Sequence, residues 1–438
     1  MQYFSYFSTF TTDCSQPKNS KTYHMTQTIN KSALFNASCF ALITTAFSFS
    51  ISAGTLKSLG EDLGYTAEKL GYLNSLWFFG FPIAMIIGGL IYHSIGPKKI
   101  MKIAFLSHFV GAALTLYAIY FVSESSYIIL LASNLLMGIG CGCTEAACNP
   151  MIADMYTGDK MNKMLNRFHM WFPGGIFVGA LLSELMSTLG FSWQSQFWLI
   201  PIPALVYVYL FNGKTFPKAS VEQASSLSAN FKAMFTPLFL FIFACMALTA
   251  ITEFGPQKWT GLVLESSGAK PMLILALTTG LMAVLRFFGG PVTSALGQTG
   301  VLLFGAIVST LGIYLFSTQT GVMVYIAAIF FATGVAFFWP TMLGFVAAKI
   351  PKSGALGMSI VGGVGMFSTS IFQPFIGSWI DSDIAEQQAL GLTGTELDLA
   401  AGQATLSTMM TFPIILIVAF TLLFFWQKGK SPAVAAAH

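Results

Sequence analysis

Apolar residues run along this chain in blocks of about twenty, with neither the alternation of a half-buried strand nor the single stripe of a surface helix. Twelve such blocks, bounded by polar residues, Gly or Pro, fall near residues 34 to 56, 70 to 94, 100 to 122, 126 to 152, 167 to 190, 194 to 212, 234 to 264, 272 to 296, 300 to 317, 321 to 348, 355 to 380 and 404 to 427. About 20 apolar residues carry a helix across the hydrocarbon core of a bilayer. The pattern predicts an all-α integral membrane protein of 12 transmembrane helices joined by short loops. Its longest polar interruptions run from Asn212 to Ala233 and from Ser382 to Gln403.

Composition narrows this further. The 438 residues are 55% hydrophobic and 9% charged, against roughly 25% charged in a soluble domain. No room is left for a separate soluble enzyme domain. The net charge of +4 does not point to nucleic acid, because the charges sort by side. Lys18, Lys21, Lys31, Lys98, Lys99, Lys102, Lys160, Lys163, Arg167, Lys214, Lys218, Lys232, Lys349, Lys352, Lys428 and Lys430, 16 of the 21 basic residues, fall on the side that an even span count gives to both termini. Basic loops mark the cytoplasmic side, so both termini are expected in the cytoplasm, the membrane being a bacterial inner (plasma) membrane. Asp381, Asp383, Glu386, Glu396 and Asp398 gather in the last outer loop.

The polar, basic link at the centre divides the chain. The expected parts are a disordered cytoplasmic N-terminus (1–33), a six-helix half (34–212), a cytoplasmic linker (213–233), a second six-helix half (234–427) and a short cytoplasmic tail (428–438). The first 24 residues lack the basic start and apolar core of a cleaved signal, and Met25 is an alternative start. The halves echo each other at an offset of 201 residues: GLIYHSIG, Gly89 to Gly96, against GPVTSALG, Gly290 to Gly297, and SAGT, from Ser52, against EFGP, from Glu253. Both pairs sit at matching places in matching spans.

Two six-span halves joined by an inner linker resemble the major facilitator superfamily. That superfamily carries G-x-x-x-D-R-x-G-R-[KR] after its second span. This chain keeps Gly89, Gly96, Lys98 and Lys99 but has His93, Ser94 and Pro97 at the Asp, Arg and next Arg positions, so the usual gating charge pair is missing.

One carboxylate stands out on cost alone. Glu145, in GIGCGCTEAACNPM near the middle of span four, costs roughly 2.5 to 3.5 kcal/mol to insert there. It is a candidate proton carrier if it faces a cavity; the bland alternative is a buried, permanently protonated acid bonded to a neighbouring helix. EAACNP, Glu145 to Pro150, resembles the E-x-x-x-N-P pattern of the fucose:proton symporter branch. LNRFHMWFPGG, from Leu165, TEFGPQKW, from Thr252, LRFFGG, from Leu285, and FFWPTMLG, from Phe337, are similar to the signatures of related sugar carriers. The resemblance implies that Glu145 is the coupling acid and sugar-hydroxyl partner and Asn149 its polar neighbour. The symporters hold a second acid in span one, which Phe40 to Gly54 lacks; Glu253 could supply it from the other half, or coupling is to sodium, or absent.

Span seven holds Glu253, Gln257, Lys258 and Trp259 around Gly255 and Pro256, which are expected to break the helix beside a cavity. Glu253 and Gln257 share a face. Alternatively this is the outer end of the span, with Lys258 snorkelling and Trp259 anchored at the interface. Arg286, deep in span eight, needs an acid, and Glu253 is the nearest in its half. His169 and Trp171 open span five and could line the path. Sugar recognition needs amides and aromatic faces, so Asn74, Trp77, Asn149, Trp171, Gln257, Trp339 and Gln373 are the expected lining, while Trp193 and Trp198 fit an interfacial belt.

Gly138 and Gly142, like Gly175 and Gly179, have the spacing of close helix crossings. Cys141 and Cys143 point about 200° apart on a helix, so with Cys148 they suggest packing, not a metal site. No Walker loop, H-E-x-x-H or G-x-S-x-G occurs, and no cofactor is expected beyond a coupling ion, H+ or Na+. The sequence thus predicts a monomeric secondary carrier of a small polar solute, a sugar, in the lipid bilayer. The rivals are a drug or metabolite exporter of the same fold, whose amides would turn away from its cavity, and a non-transporting receptor. An intramembrane enzyme lacks a nucleophile or metal set.

Overall fold

The computed structural model describes residues 29–121, 126–156, 158–217 and 227–428. Expectations for the N-terminus before residue 29, including Cys14 and the start at Met1 or Met25, for 218–226 of the linker and for the tail from 429 lie outside them.

Among the described residues, twelve helices are long and apolar enough to cross a membrane: α1 (Lys31–Gly54), α2 (Ala67–Ile95), α3 (Pro97–Phe121), α4 (Ser126–Met155), α5 (Lys163–Thr188), α6 (Trp193–Phe211), α7 (Pro237–Val263), α8 (Pro271–Phe288), α9 (Gly290–Thr318), α10 (Val322–Lys349), α11 (Leu356–Ala389) and α12 (Gly394–Lys428). Twelve crossings bring the first and last described helices back to one end of the bundle, here the terminal face; the opposite end is the far face.

Local chemistry sets the helix ends. Asn30 accepts from the Ala33 backbone N–H and Thr66 from that of Lys69, so α1 and α2 start on side-chain caps. Pro237 and Pro271 open α7 and α8, where a missing N–H costs nothing. Two readings need correction. Pro256 lies inside α7, which stays helical through Gly255 to Val263, so span seven is not broken there. The acidic stretch read as a long loop is mostly helix, since α11 runs on to Ala389 and α12 begins at Gly394.

The 201-residue echo survives as backbone geometry. Gly96 has φ 78° and ψ 160°, and Gly297 φ 67° and ψ 166°, a region closed to residues with a Cβ.

Close crossings hold each group of six. A Cβ on Gly138 would stand 2.2 Å from the Trp77 carbonyl oxygen and one on Gly142 2.1 Å from that of Phe81, so α4 touches the α2 backbone. Gly175 and Gly179 bring α5 onto Ala46 and Ser50 of α1 in the same way. Contacts between the two groups run α2 to α11, α5 to α8 and α1 to α7. The polar ones gather toward the far face. The Asp381 carboxylate accepts from the backbone N–H groups of Ala67 (2.9 Å) and Glu68 (2.8 Å). Lys270 pairs with Glu184 at 2.6 Å and Lys57 with Asp398 at 3.5 Å. These contacts tie the groups together at the far face, around a pocket of about 210 Å³ lined by Lys57, Asp381 and Asp398 among others; the cleft is the space between the groups on the terminal side of these contacts.

Candidate functional site

Glu145 sits ten residues from the terminal end of α4, on the turn before Pro150. Its carboxylate is 12% exposed. Asn149, one turn on and on the same face, donates its Nδ2 to Glu145 Oε2 at 2.6 Å, and its buried Oδ1 has no partner. His169 Nδ1 stands 3.9 Å from Glu145 Oε1 on an imidazole 46% exposed. The helical segments of α5 meet at Met170, between the exposed His169 and the half-buried Trp171. No lysine or arginine pairs with Glu145 among the described residues. The site is thus a partly exposed carboxylate with an amide donor and an imidazole beside it.

The second cluster lies across the cleft. Arg286 Nη2 donates to Glu253 Oε1 at 3.0 Å, the carboxylate 3% exposed and the guanidinium 16%. Arg286 Nε also donates to the Ala336 carbonyl at 2.7 Å. That oxygen is free because its helical partner would be the N–H of residue 340, which is Pro340. The α10 helix bends at Ala336 and Phe337 for the same reason. Arg286 therefore has its acid and a third anchor on α10, and this pair is electrically closed.

An aromatic cluster joins the two groups of helices. Phe254 of α7 meets Phe49 (6.1 Å between centroids), Phe78 (5.7 Å) and Phe172 (6.3 Å) from the first group and Trp339 (6.2 Å) from the second. Trp339 and Trp171 are half-buried.

Four residues expected to line the cavity sit inside helix packing instead. Trp77 is buried and donates its indole N–H to Ser48 Oγ at 3.0 Å. Gln373 is buried and accepts from the Trp259 indole at 2.8 Å. Gln257 turns to Met282 Sδ at 3.4 Å, within its own group. Asn74 is buried with its Nδ2 unpartnered, beside a small pocket of about 40 Å³ among α1, α2, α3, α4 and α6. Lys258 and Trp259 are both fully buried, so the snorkelling lysine and interfacial tryptophan are corrected. Lys258 Nζ donates to the Phe49 carbonyl at 3.3 Å and to Ser52 Oγ. Trp198 remains exposed, while Trp193 donates to Asp62 at 2.6 Å on the far face.

Sequence reading also passed over His108. It is buried, 3.3 Å from the Tyr207 hydroxyl and 3.5 Å from Cys141 Sγ. Nothing in its apolar segment marks it. Cys141, Cys143 and Cys148 are free and buried, and the described residues hold no group of three or more His, Cys, Asp or Glu able to bind a metal.

Residues 38–372 match the family described as Major Facilitator Superfamily. A hexuronate transporter of Bacillus subtilis (strain 168) is 25% identical over 173 residues, 39% of either chain. The chain thus spans well under half the length of the curated relatives it matches. Among solved structures, a bacterial homologue of the human lysosomal transporter Spinster, inward-facing and unoccupied, superposes with a TM-score of 0.72 at 14% identity, covering 92% of this chain and 99% of that one. A D-xylose-proton symporter gives 0.67 at 13% identity over 86% and 97%.

Proposed function

Because the chain belongs to the Major Facilitator Superfamily, we propose that it is a secondary carrier that moves a sugar by alternating access, coupled to protons through Glu145. The observation that carries the reading is Glu145 itself: a carboxylate inside a membrane helix, 12% exposed, held by Asn149 and facing His169, with no lysine or arginine paired to it among the described residues. A permanently ionised acid there would be expensive, so binding and release of a proton suits its surroundings. Trp171 and Trp339 offer faces for the C–H surface of a sugar ring. Similarity to a hexuronate transporter and to a D-xylose-proton symporter supports the same cargo class.

The basic loops support cytoplasmic termini, which would turn the terminal side of the cleft inward. The test is transport in proteoliposomes. Glu145→Gln should abolish uphill uptake driven by a pH gradient while sparing exchange of internal for external substrate. Undiminished uphill uptake would remove the coupling role; uptake driven by a sodium gradient alone would replace the proton.

A second reading, an exporter of less polar compounds, has one observation in its favour: Asn74, Gln257 and Gln373 turn into protein and leave the cleft mainly aromatic. Inhibition of transport by apolar cations and not by sugars would favour it.

A further inference from the structure

Lys258 is a fully buried amine with no carboxylate partner among the described residues. Its acceptors are neutral, the Phe49 carbonyl and Ser52 Oγ, and its Nζ lies over the Phe49 ring at 4.8 Å and the Trp77 ring at 5.9 Å. Arg286, by contrast, has Glu253 at 3.0 Å. An amine buried among neutral acceptors is costly to hold as an ammonium, which asks what anion would pair with it.

We propose that Lys258 receives the carboxylate of an anionic sugar, and that this sugar acid travels with one proton on Glu145 so that the loaded cleft is neutral. The inference rests on the carrier reading above and names the substrate class. Both acceptors of Lys258 belong to α1, in the other group of six, so opening the far side, which draws α7 away from α1, strips the ammonium of both. It then faces the cleft from the side on which cargo enters and needs a new acceptor. Phe254 lies one turn away on the same face of α7, with Phe172 and Trp339 against it. An ammonium beside aromatic faces suits a pyranose that carries a carboxylate. The charges agree: Glu253 and Arg286 cancel, a proton neutralises Glu145, and the one positive charge left matches one monoanion. On the far rim Asp381 is held by the α2 N–H groups, Asp398 by Lys57 and Glu184 by Lys270.

The experiment compares labelled glucuronate with glucose in proteoliposomes of the full chain under an imposed pH gradient. Wild-type protein should accumulate glucuronate, with competition from galacturonate and none from glucose or galactose, and clamping the membrane potential with valinomycin and potassium should leave the rate unchanged. Lys258→Gln should lower glucuronate uptake about tenfold or more, the loss expected for one charged hydrogen bond, and Lys258→Arg should keep part of it. Preference for glucose in the wild type overturns the inference and leaves the carrier reading standing, and that comparison needs no variant. Full glucuronate uptake by a folded Lys258→Gln protein overturns it as well. Uptake of neither compound overturns the inference and the sugar reading together.

Discussion

Gly96 and Gly297, 201 residues apart, adopt the same rare backbone conformation, φ 78° and 67° with ψ 160° and 166°. Gly96 turns the chain between α2 and α3, and Gly297 kinks the first turns of α9, both on the terminal face. Substituting either by Ala places a Cβ where the backbone tolerates none, at about 1 to 3 kcal/mol. Gly89 and Gly290, at the other end of the same echo, carry no such conformation and have open space where an added methyl group would sit, so Ala there should be close to neutral. Thermal melts of the four purified variants check this; equal losses at all four positions would show that the shared glycines are not kept for backbone conformation.

The repeat, the twelve spans and the Glu145–Asn149 pair were legible because each is written at short range: block length, a shared offset, two polar residues one helical turn apart. Arg286 and Glu253 were legible through need, since a guanidinium in lipid requires an acid and one was near. Lys258 was not. At the apparent end of a span, a Lys–Trp pair has the composition of an interfacial anchor, and hydropathy cannot tell lipid from a neighbouring helix as its surroundings. What decides is the approach of α7 to α1, where Gly261 meets the Ala53 carbonyl, a contact between residues 208 apart in sequence. The amides Asn74, Gln257 and Gln373 failed as lining for a related reason. Residue type suggested hydrogen bonding to cargo, but only helix rotation sets whether the partner is cargo or the next helix.

The Glu253–Arg286 pair should respond asymmetrically to mutation. Arg286→Met leaves a carboxylate 3% exposed without its cation, at roughly 3 to 5 kcal/mol. Glu253→Gln leaves an Arg that is more exposed and still bonded to the Ala336 carbonyl, so its cost should be smaller. The double variant should recover much of the Arg286→Met loss, and a double-mutant cycle on melting temperatures reads the coupling. Additive losses would mean that the two groups do not depend on each other.

Asp381 holds the start of α2 from the other group of helices, accepting from two backbone N–H groups that no residue of α2 itself can satisfy. Asp381→Ala should cost about 1 kcal/mol, in the range of a lost helix cap, and should loosen closure of the far side. Asp381→Asn keeps one acceptor and should fall between. Hydrogen exchange at the first turn of α2 is the direct measurement, and unchanged protection in the Ala variant would contradict the cap.

The strongest lever on the conformational equilibrium is Gly261. A Cβ there would stand 2.3 Å from the Ala53 carbonyl oxygen and 3.4 Å from Gly54 Cα, both backbone atoms that cannot swing aside. Closure of the far side brings these surfaces together, whereas opening separates them, so a larger side chain penalises the closed form alone. A ligand or mutation shifts a two-state equilibrium only by its difference between the states, and a steric block confined to one state is such a difference. Gly261→Val should therefore populate the form open on the far side. In that form Ser52, which now accepts from Lys258, becomes reachable. A Ser52→Cys reporter should react with a membrane-impermeant maleimide added from the far side several-fold faster in the Gly261→Val background. Substrate exchange should slow, because the cycle must pass through the penalised state. If the reporter reacts at the same rate in both backgrounds, α1 and α7 do not form the closing surface.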